Sequence, residues 1–551
     1  MKMLLLSFLV CLVKAEAPLK VMVSMGLGTN SHIKPLLEMG TILRERNHTV
    51  FYSSFESNRK FNKPYQLAFV SLGDDRDAGW NQRSLMKKQF TKRENPDPSR
   101  DMATSFGMVA APVYDKTYPV ILKVMEQERP DVVLCDFLAT ACRDAAQMLA
   151  IPLITGFQAT DFFGVTSSPF VTSTLDYGTI TTESLSFMQR FHRKVIDPLI
   201  EHYRYYPMVK DTNVIRAKYN VPPASHPFGD FSTSLGLASS FIGFEASILF
   251  PPNIRMIGPI KSISYPPLTP DLAQFLETHP KTLYIAFGSI VILGDYDIEN
   301  LVLGSLAALK EGSIDGVIWG LGNSLQEDFP KMFKFNGTEI TRDQLFSGEQ
   351  PHIKLLPWAP QTAILEHKST KLFISHGGLE SSFEAILSGT PILCMPFLGD
   401  QFRNARKLED AGIAKYINRA NATPTTVSSD IKHILQDTTG SFVSHTQRMR
   451  TIAQYGSRRK DSGADAVEEY AYTAQACRPL QPSRYGEIPC ELKHLTLASR
   501  NMSYFQSNLI DVYAFAILLS LLIALGLTVV GWRLATKLYP SSTKDLTKKE
   551  Q

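Results

Sequence analysis

No stretch of this sequence spaces cysteine and histidine as a zinc site would, so no metal is expected. Charge of neither sign dominates. Lys and Arg number 57 against 53 Asp and Glu, and a net charge of +4 over 551 residues makes no case for nucleic acid. Cysteine is scarce, at six. Cys11 lies in the first apolar run, and Cys477 and Cys490 flank a Pro-rich polar segment that a small disulfide could close. Cys135, Cys142 and Cys394 sit in apolar strand or helix contexts and are expected to pack as small hydrophobes.

What is there is a composition that is 44% hydrophobic and 20% charged, that of a globular protein. The length exceeds what one core sustains and favours two large domains. Both ends point to a membrane. Lys2, the apolar run Met3–Val13 and the small residues Ala15-Glu16-Ala17 read as a signal peptide over residues 1–17. Val512–Trp532 carries no charge over 21 residues, roughly 31 Å as a helix against a bilayer core of about 30 Å. The basic residues after it place a tail, 533–551, in the cytosol and the body in a lumen. Sequons at Asn47, Asn336, Asn421 and Asn501 agree with a luminal body.

Along the chain, Leu19–Met25 reads as a buried parallel strand, followed by a glycine loop ending at His32, with a helix from about Pro35 to Arg46. Gly26-x-Gly28-x-x-Ser31 imitates a dinucleotide fingerprint. The third glycine is missing, Pro35 starts the helix late, and no acid but Glu56 lies near the required spacing. Residues about 72–110 read as irregular and Pro112–Arg129 as a helix interrupted at Pro119. Asp136 ends the strand Asp131–Cys135. His32 and Asp136 thus both lie at strand carboxyl ends, where ligands of open α/β sheets gather, and could form a dyad in which the carboxylate orients the imidazole. The lesser alternative is that Asp136 caps the next helix. Aromatics at Phe157, Phe162, Phe163, Phe170 and Tyr177 suit either an apolar acceptor pocket or a loop packed over a core, and Thr182–Asn220 reads as largely helical.

A proline-punctuated stretch near 259–280 reads as a linker, and a second domain opens with the strand Leu283–Phe287 ending in Gly288-Ser289. Further on, Lys371–Ser375 is a strand, His376-Gly377-Gly378 a glycine turn, and Leu379–Leu387 a helix closed by Gly389 before the strand Pro391–Pro396. Strand, glycine turn and helix N-terminus make an anion site.

The residues Trp358, Pro360-Gln361, His367, Phe373, His376-Gly377-Gly378, Ser381, Glu384-Ala385, Gly389, Pro391, Pro396, Asp400-Gln401 and Asn404 stand in a pattern that resembles the signature of the UDP-dependent glycosyltransferases, including UDP-glucuronosyl- and UDP-glucosyltransferases. The resemblance implies an α/β fold of GT-B architecture. Two Rossmann-like domains, 18–258 for the acceptor and 281–476 for the UDP-sugar, would face across a cleft, followed by a luminal segment 477–511 and the transmembrane helix 512–532. It implies His32 as the catalytic base and Asp136 as its partner. For the donor it implies Trp358 on the uracil with Gln361 at its edge, His376 and Ser381 toward the diphosphate, Glu384 on the ribose, and Asp400 and Gln401 on the sugar. Gly288, Ser289, Ala359 and Gly378 join that UDP-sugar-binding set. No cofactor or metal is implied beyond the UDP-sugar, and inversion at the sugar carbon is.

Glu380 departs from the pattern, which usually has Asn. It is expected either to pair with a protonated His376 at i, i+4 or to point away. The function expected is transfer of a hexose, glucose favoured, to a hydroxyl of a lipophilic small molecule, with glucuronate as the alternative donor. A catalytically silent membrane glycoprotein of the same fold is the other-class alternative. The final Lys548-Lys549-Glu550-Gln551 resembles an endoplasmic reticulum retrieval signal, and a homo-oligomer is compatible with the sequence.

Overall fold

The computed structural model describes residues 16–26, 30–74, 87, 98–160, 185–226, 228–246, 250–262, 264–322, 324 and 326–538. The expected signal peptide before residue 16, the glycine loop 27–29, most of the aromatic loop (Phe162, Phe163, Phe170 and Tyr177) and the final lysines lie outside them.

The chain forms two units, the first ending at Lys493. That unit is built on two wholly parallel sheets. The first has the order β3-β2-β1-β4-β5-β6-β7, with β1 at Lys20–Ser24, β2 at Thr49–Ser54, β3 at Ala68–Ser71, β4 at Val132–Asp136, β5 at Leu153–Phe157, β6 at Leu235–Ala238 and β7 at Ile254–Met256. Beyond β7, β8 is Thr282–Ala286, β9 Gly316–Gly320, β10 Met332–Phe335, β11 Thr338–Thr341, β12 Ile353–Leu356, β13 Thr370–Ser375, β14 Ile392–Cys394 and β15 Ala414–Tyr416. The second sheet is β12-β9-β8-β13-β14-β15, and β10 and β11 form an antiparallel hairpin. The central strands β1, β4, β8 and β13 are largely buried and carry apolar runs, Val21–Val23, Val132–Cys135, Leu283–Ala286 and Leu372–Ile374, as parallel strands covered on both faces must.

Strand order reverses beside β1 and β4 in the first sheet, where Ser24 pairs with Cys135, and beside β8 and β13 in the second, where Ala286 pairs with Ser375. A crevice opens at such a switch point because the loops from the two strands leave in opposite directions. Five helices frame these crevices: α1 (Asn30–Glu45), α2 (Thr140–Met148), α3 (Leu379–Ser388), α4 (Asp400–Asp410) and α5 (Lys460–Cys477).

The two halves share buried contacts. Phe241 and Phe244 pack on Phe383 of α3 at ring distances of 5.6 and 5.1 Å. Lys407 of α4 bonds Glu245 at 2.6 Å, both buried. The chain then returns to the first sheet through α5, where Glu468 accepts from Arg46 at 2.6 Å and lies 2.8 Å from His48.

Four expectations need correction. Helix α1 begins at Asn30, not near Pro35, so His32 stands in its first turn. Pro35 forfeits only the hydrogen bond to the Ser31 carbonyl, and packing of the buried face outweighs that loss. The late-helix reason against a dinucleotide site therefore falls away, although Glu56 is committed to Arg59. Pro98–Glu128 is one helix containing Pro112 and Pro119, so residues 98–110 are regular. Cys135 and Cys142 are disulfide-bonded, as are Cys477 and Cys490. The turn from β4 into α2 brings the Cα atoms of Cys135 and Cys142 to 6.0 Å, within disulfide reach. Finally, Glu380 does not pair with His376, for a reason that belongs to the site.

In the second unit, His494–Gln551, the main element is the helix Ile510–Leu538. It is longer than the expected 512–532, about 43 Å at 1.5 Å per residue, and long and apolar enough to cross a membrane.

Candidate active site

At the first switch point, Asp136 ends β4 fully buried, and His32 begins α1 beside it. The Nδ1–H of His32 donates to Asp136 at 3.1 Å to one carboxylate oxygen and 3.4 Å to the other. The same carboxylate accepts from the Leu138 N–H at 3.0 Å, a local turn ahead of α2. The N-cap of α2 is Ala139 with no side-chain cap, so the dyad reading of Asp136 holds and the capping reading does not. Sequence reasoning missed Gln158, just past β5. Its amide donates to Asp136 at 3.1 Å and to the His32 carbonyl at 3.3 Å, fixing carboxylate and histidine together. A lone glutamine in a loop carries no spacing that could have marked it. Phe137 stacks on the imidazole at 5.6 Å.

Burial works against charge on His32, but Asp136 outweighs it, with Asp400 and Glu380 adding attraction, so the imidazole pKa lies above its ordinary value. Asp400 and Glu380 belong to α4 and α3. Carboxylates of the second half therefore act on His32 in the first.

At the second switch point, α3 starts after Gly378 with no side chain capping its first turn. Those N–H groups are left for an anion. His376 is wedged between two glycines: a Cβ on Gly288 would lie 2.9 Å from its ring, and one on Gly378 would lie 2.2 Å from Nε2. Gly288 also has φ +69°. Among the described residues no carboxylate answers His376, and burial holds its pKa down to about 4, so it is a neutral imidazole. That is why Glu380 turns elsewhere. It pairs with Lys34 of α1, which also lies 3.4 Å from Glu384.

Glu384 collects further donors, the Gln361 amide at 2.6 Å and the Thr362 hydroxyl at 2.9 Å, and Gln361 also reaches the Ser381 hydroxyl at 3.0 Å. Asn404 ties Asp400 (2.8 Å) to the Gly377 carbonyl (3.0 Å). Gln401 directs its amide oxygen to the Phe397 and Leu398 N–H groups, bracing the loop from β14. Trp358 stands apart, 72% exposed, with an open indole face, while Ala359 beside it is tucked against Gly320. Ser289 follows Gly288 half-buried at the end of β8.

Two cavities adjoin these groups. One lies between the halves, among Ser31, Lys34, Gln158, Thr362, Glu380 and Glu384. The other opens beside β1 and β4 and is mainly apolar, with Gly26, Val113, Tyr114, Leu138, Met208 and Phe228 on its walls.

Two parallel α/β sheets, each with a crevice at a switch point, make up the GT-B architecture. The solved glycotransferase of kitacinnamycin shares this fold, with a TM-score of 0.56 at 18% identity over 82% of this chain and 99% of its own. The family described as "UDP-glucoronosyl and UDP-glucosyl transferase" matches residues 83–446. A UDP-glycosyltransferase of Talaromyces amestolkiae is 30% identical over 502 residues, 87% of this chain and 91% of its own. The UDP-glycosyltransferase stmC of Aspergillus ustus is 28% identical over 526 residues, 90% and 94% of the two chains. The chain belongs to the UDP-glycosyltransferase family and is an enzyme that uses a UDP-sugar. His32 lies outside the stretch 83–446.

Proposed function

We propose that the protein transfers a hexose, glucose in preference to glucuronate, from its UDP donor to a hydroxyl of a lipophilic small molecule by inverting displacement. The observation that carries this reading is the His32–Asp136 pair facing the donor half. An aliphatic hydroxyl is a poor nucleophile, so a base must take its proton as the bond to the sugar carbon forms. Because Nδ1 is committed to Asp136, the other ring nitrogen of His32, Nε2, is the atom for that proton, and Asp136 stabilises the resulting imidazolium. Such a base contributes roughly 10²–10⁴-fold.

On the donor side, the N–H groups at the start of α3, neutral His376 and Ser381 would meet charge developing on the leaving diphosphate, without a metal. Gly288 and Ser289 would approach it from β8. Trp358 would stack on the uracil, with Ala359 and Gln361 at its edge, Glu384 would take the ribose hydroxyls, and Asp400 and Gln401 those of the sugar. A neutral sugar is favoured because both cations on the cavity between the halves are already paired, Lys34 with Glu380 and Glu384, and Lys261 with Glu366 at 2.9 Å. The apolar cavity beside β1 and β4 supports a lipophilic acceptor.

The same proposal places the body in the lumen of the endoplasmic reticulum or another secretory membrane, held by the helix Ile510–Leu538. Two disulfides fit an oxidising compartment, and Asn47, Asn336, Asn421 and Asn501 are all exposed to glycosylation. Purified protein incubated with UDP-glucose, UDP-glucuronate and a panel of phenols and aliphatic alcohols should yield a hexoside by mass spectrometry. No product from any donor, or a glucuronide alone, would contradict it.

A further inference from the structure

Lys34 is a buried lysine with no part in the chemistry above, and Glu380 is a carboxylate in the first turn of a helix whose N-terminus should attract anions. Left alone, Glu380 and Glu384, one turn apart on α3, would repel a diphosphate arriving there. Lys34 sits between them, paired with Glu380 and 3.4 Å from Glu384. It comes from the other half of the molecule, two residues after His32 on the helix that carries the base.

We propose that Lys34 is a positioning residue of the donor site. It neutralises Glu380 and Glu384 so that the start of α3 accepts a diphosphate, and the same pairing holds the His32 end of α1 across from that site. The inference rests on the donor site proposed above. Glu384 keeps its other donors, Gln361 and Thr362, so it can turn lone pairs to a ribose without losing its place, whereas Glu380 has Lys34 as its ion-pair partner across the cleft. Glu380 therefore makes the start of α3 dependent on the other half of the protein. Without that half in place, the site is the wrong sign for its ligand.

The test is UDP binding by calorimetry on the full-length protein in four forms: wild type, Lys34→Met, Glu380→Asn and the double variant, each with its melting temperature. Lys34→Met should weaken UDP at least about tenfold, since two carboxylates then face the diphosphate uncompensated. Glu380→Asn should bind within about threefold of wild type, and the double variant should recover most of what Lys34→Met loses. The transfer reaction of Lys34→Met should show its loss chiefly in KM for the UDP-sugar. A purely structural bridge predicts lowered melting temperatures and UDP affinity unmoved. UDP affinity unchanged in Lys34→Met, or a double variant as weak as that single variant, overturns the inference while leaving the donor site standing. A wild-type chain that does not bind UDP overturns the donor site and the inference with it.

Discussion

His32 and His376 both lie on the segment leaving a central strand at a switch point of its sheet, His32 in the first turn of α1 and His376 directly after β13. Their chemistry is opposite. Asp136 meets His32 at 3.1 Å and lifts its pKa above the ordinary value despite burial, whereas His376 has two glycines for neighbours, no facing carboxylate, and a pKa pushed down to about 4. One imidazole is prepared to take and hold a proton. The other stays neutral throughout the physiological range and can donate one hydrogen bond without adding charge. The ring is the same, and the carboxylates around it, Asp136 foremost, decide which way its pKa moves.

The largest way to break this comparison is His32→Ala. It should lower kcat by roughly 10²–10⁴-fold while leaving UDP affinity within about threefold, because the proton it is proposed to take is the acceptor's. Activity near that of wild type would remove the base from its role. Next comes His376→Ala, which should weaken UDP by about tenfold, with His376→Gln recovering part of the loss because an amide can still donate. Trp358→Ala should cost a similar or somewhat smaller factor in KM for the UDP-sugar and little in kcat, since its exposed face offers stacking alone. Gln158→Leu should be mildest, lowering kcat several-fold by loosening Asp136, with UDP binding unmoved.

Stability should follow the same division. Because His376 is held neutral, its contribution is present above its unfolded pKa near 6.5 and is lost as pH falls toward about 4. His32 runs the other way. Its raised pKa gives a contribution that is full below about 6.5 and disappears as pH rises through the folded value. Melting temperatures of His376→Gln and wild type should therefore converge as pH drops from 7 to 4, and those of His32→Gln and wild type as it rises from 6 to 9.

The parts legible in the sequence were those with local order. His376-Gly377-Gly378 between an apolar strand and an amphipathic helix admits one arrangement, and Trp358, Glu384 and Asp400 follow in register from it. His32 and Asp136 were reachable because both end parallel strands, although the masking effect of Pro35 hid the start of α1. What could not be read depends on contacts between distant segments. Lys34 and Glu384 are 350 residues apart, and nothing near Glu380 announces a lysine in the other half. Cys135 looked like a core residue because its strand is apolar. The turn into α2 brought Cys142 within reach, and only three dimensions show that. Helix 98–110 was misread because its polar composition carried no clean period.

The most direct test of the central claim is the pH dependence of kcat/KM for the acceptor in wild type and Asp136→Asn. Wild type should gain rate as His32 loses its proton, with an acid limb above the ordinary histidine pKa of about 6.5. Asp136→Asn should be slower, with that limb displaced to lower pH because the largest attraction opposing burial is gone and only Asp400 and Glu380 remain. An acid limb at the same pH in both proteins would contradict the account.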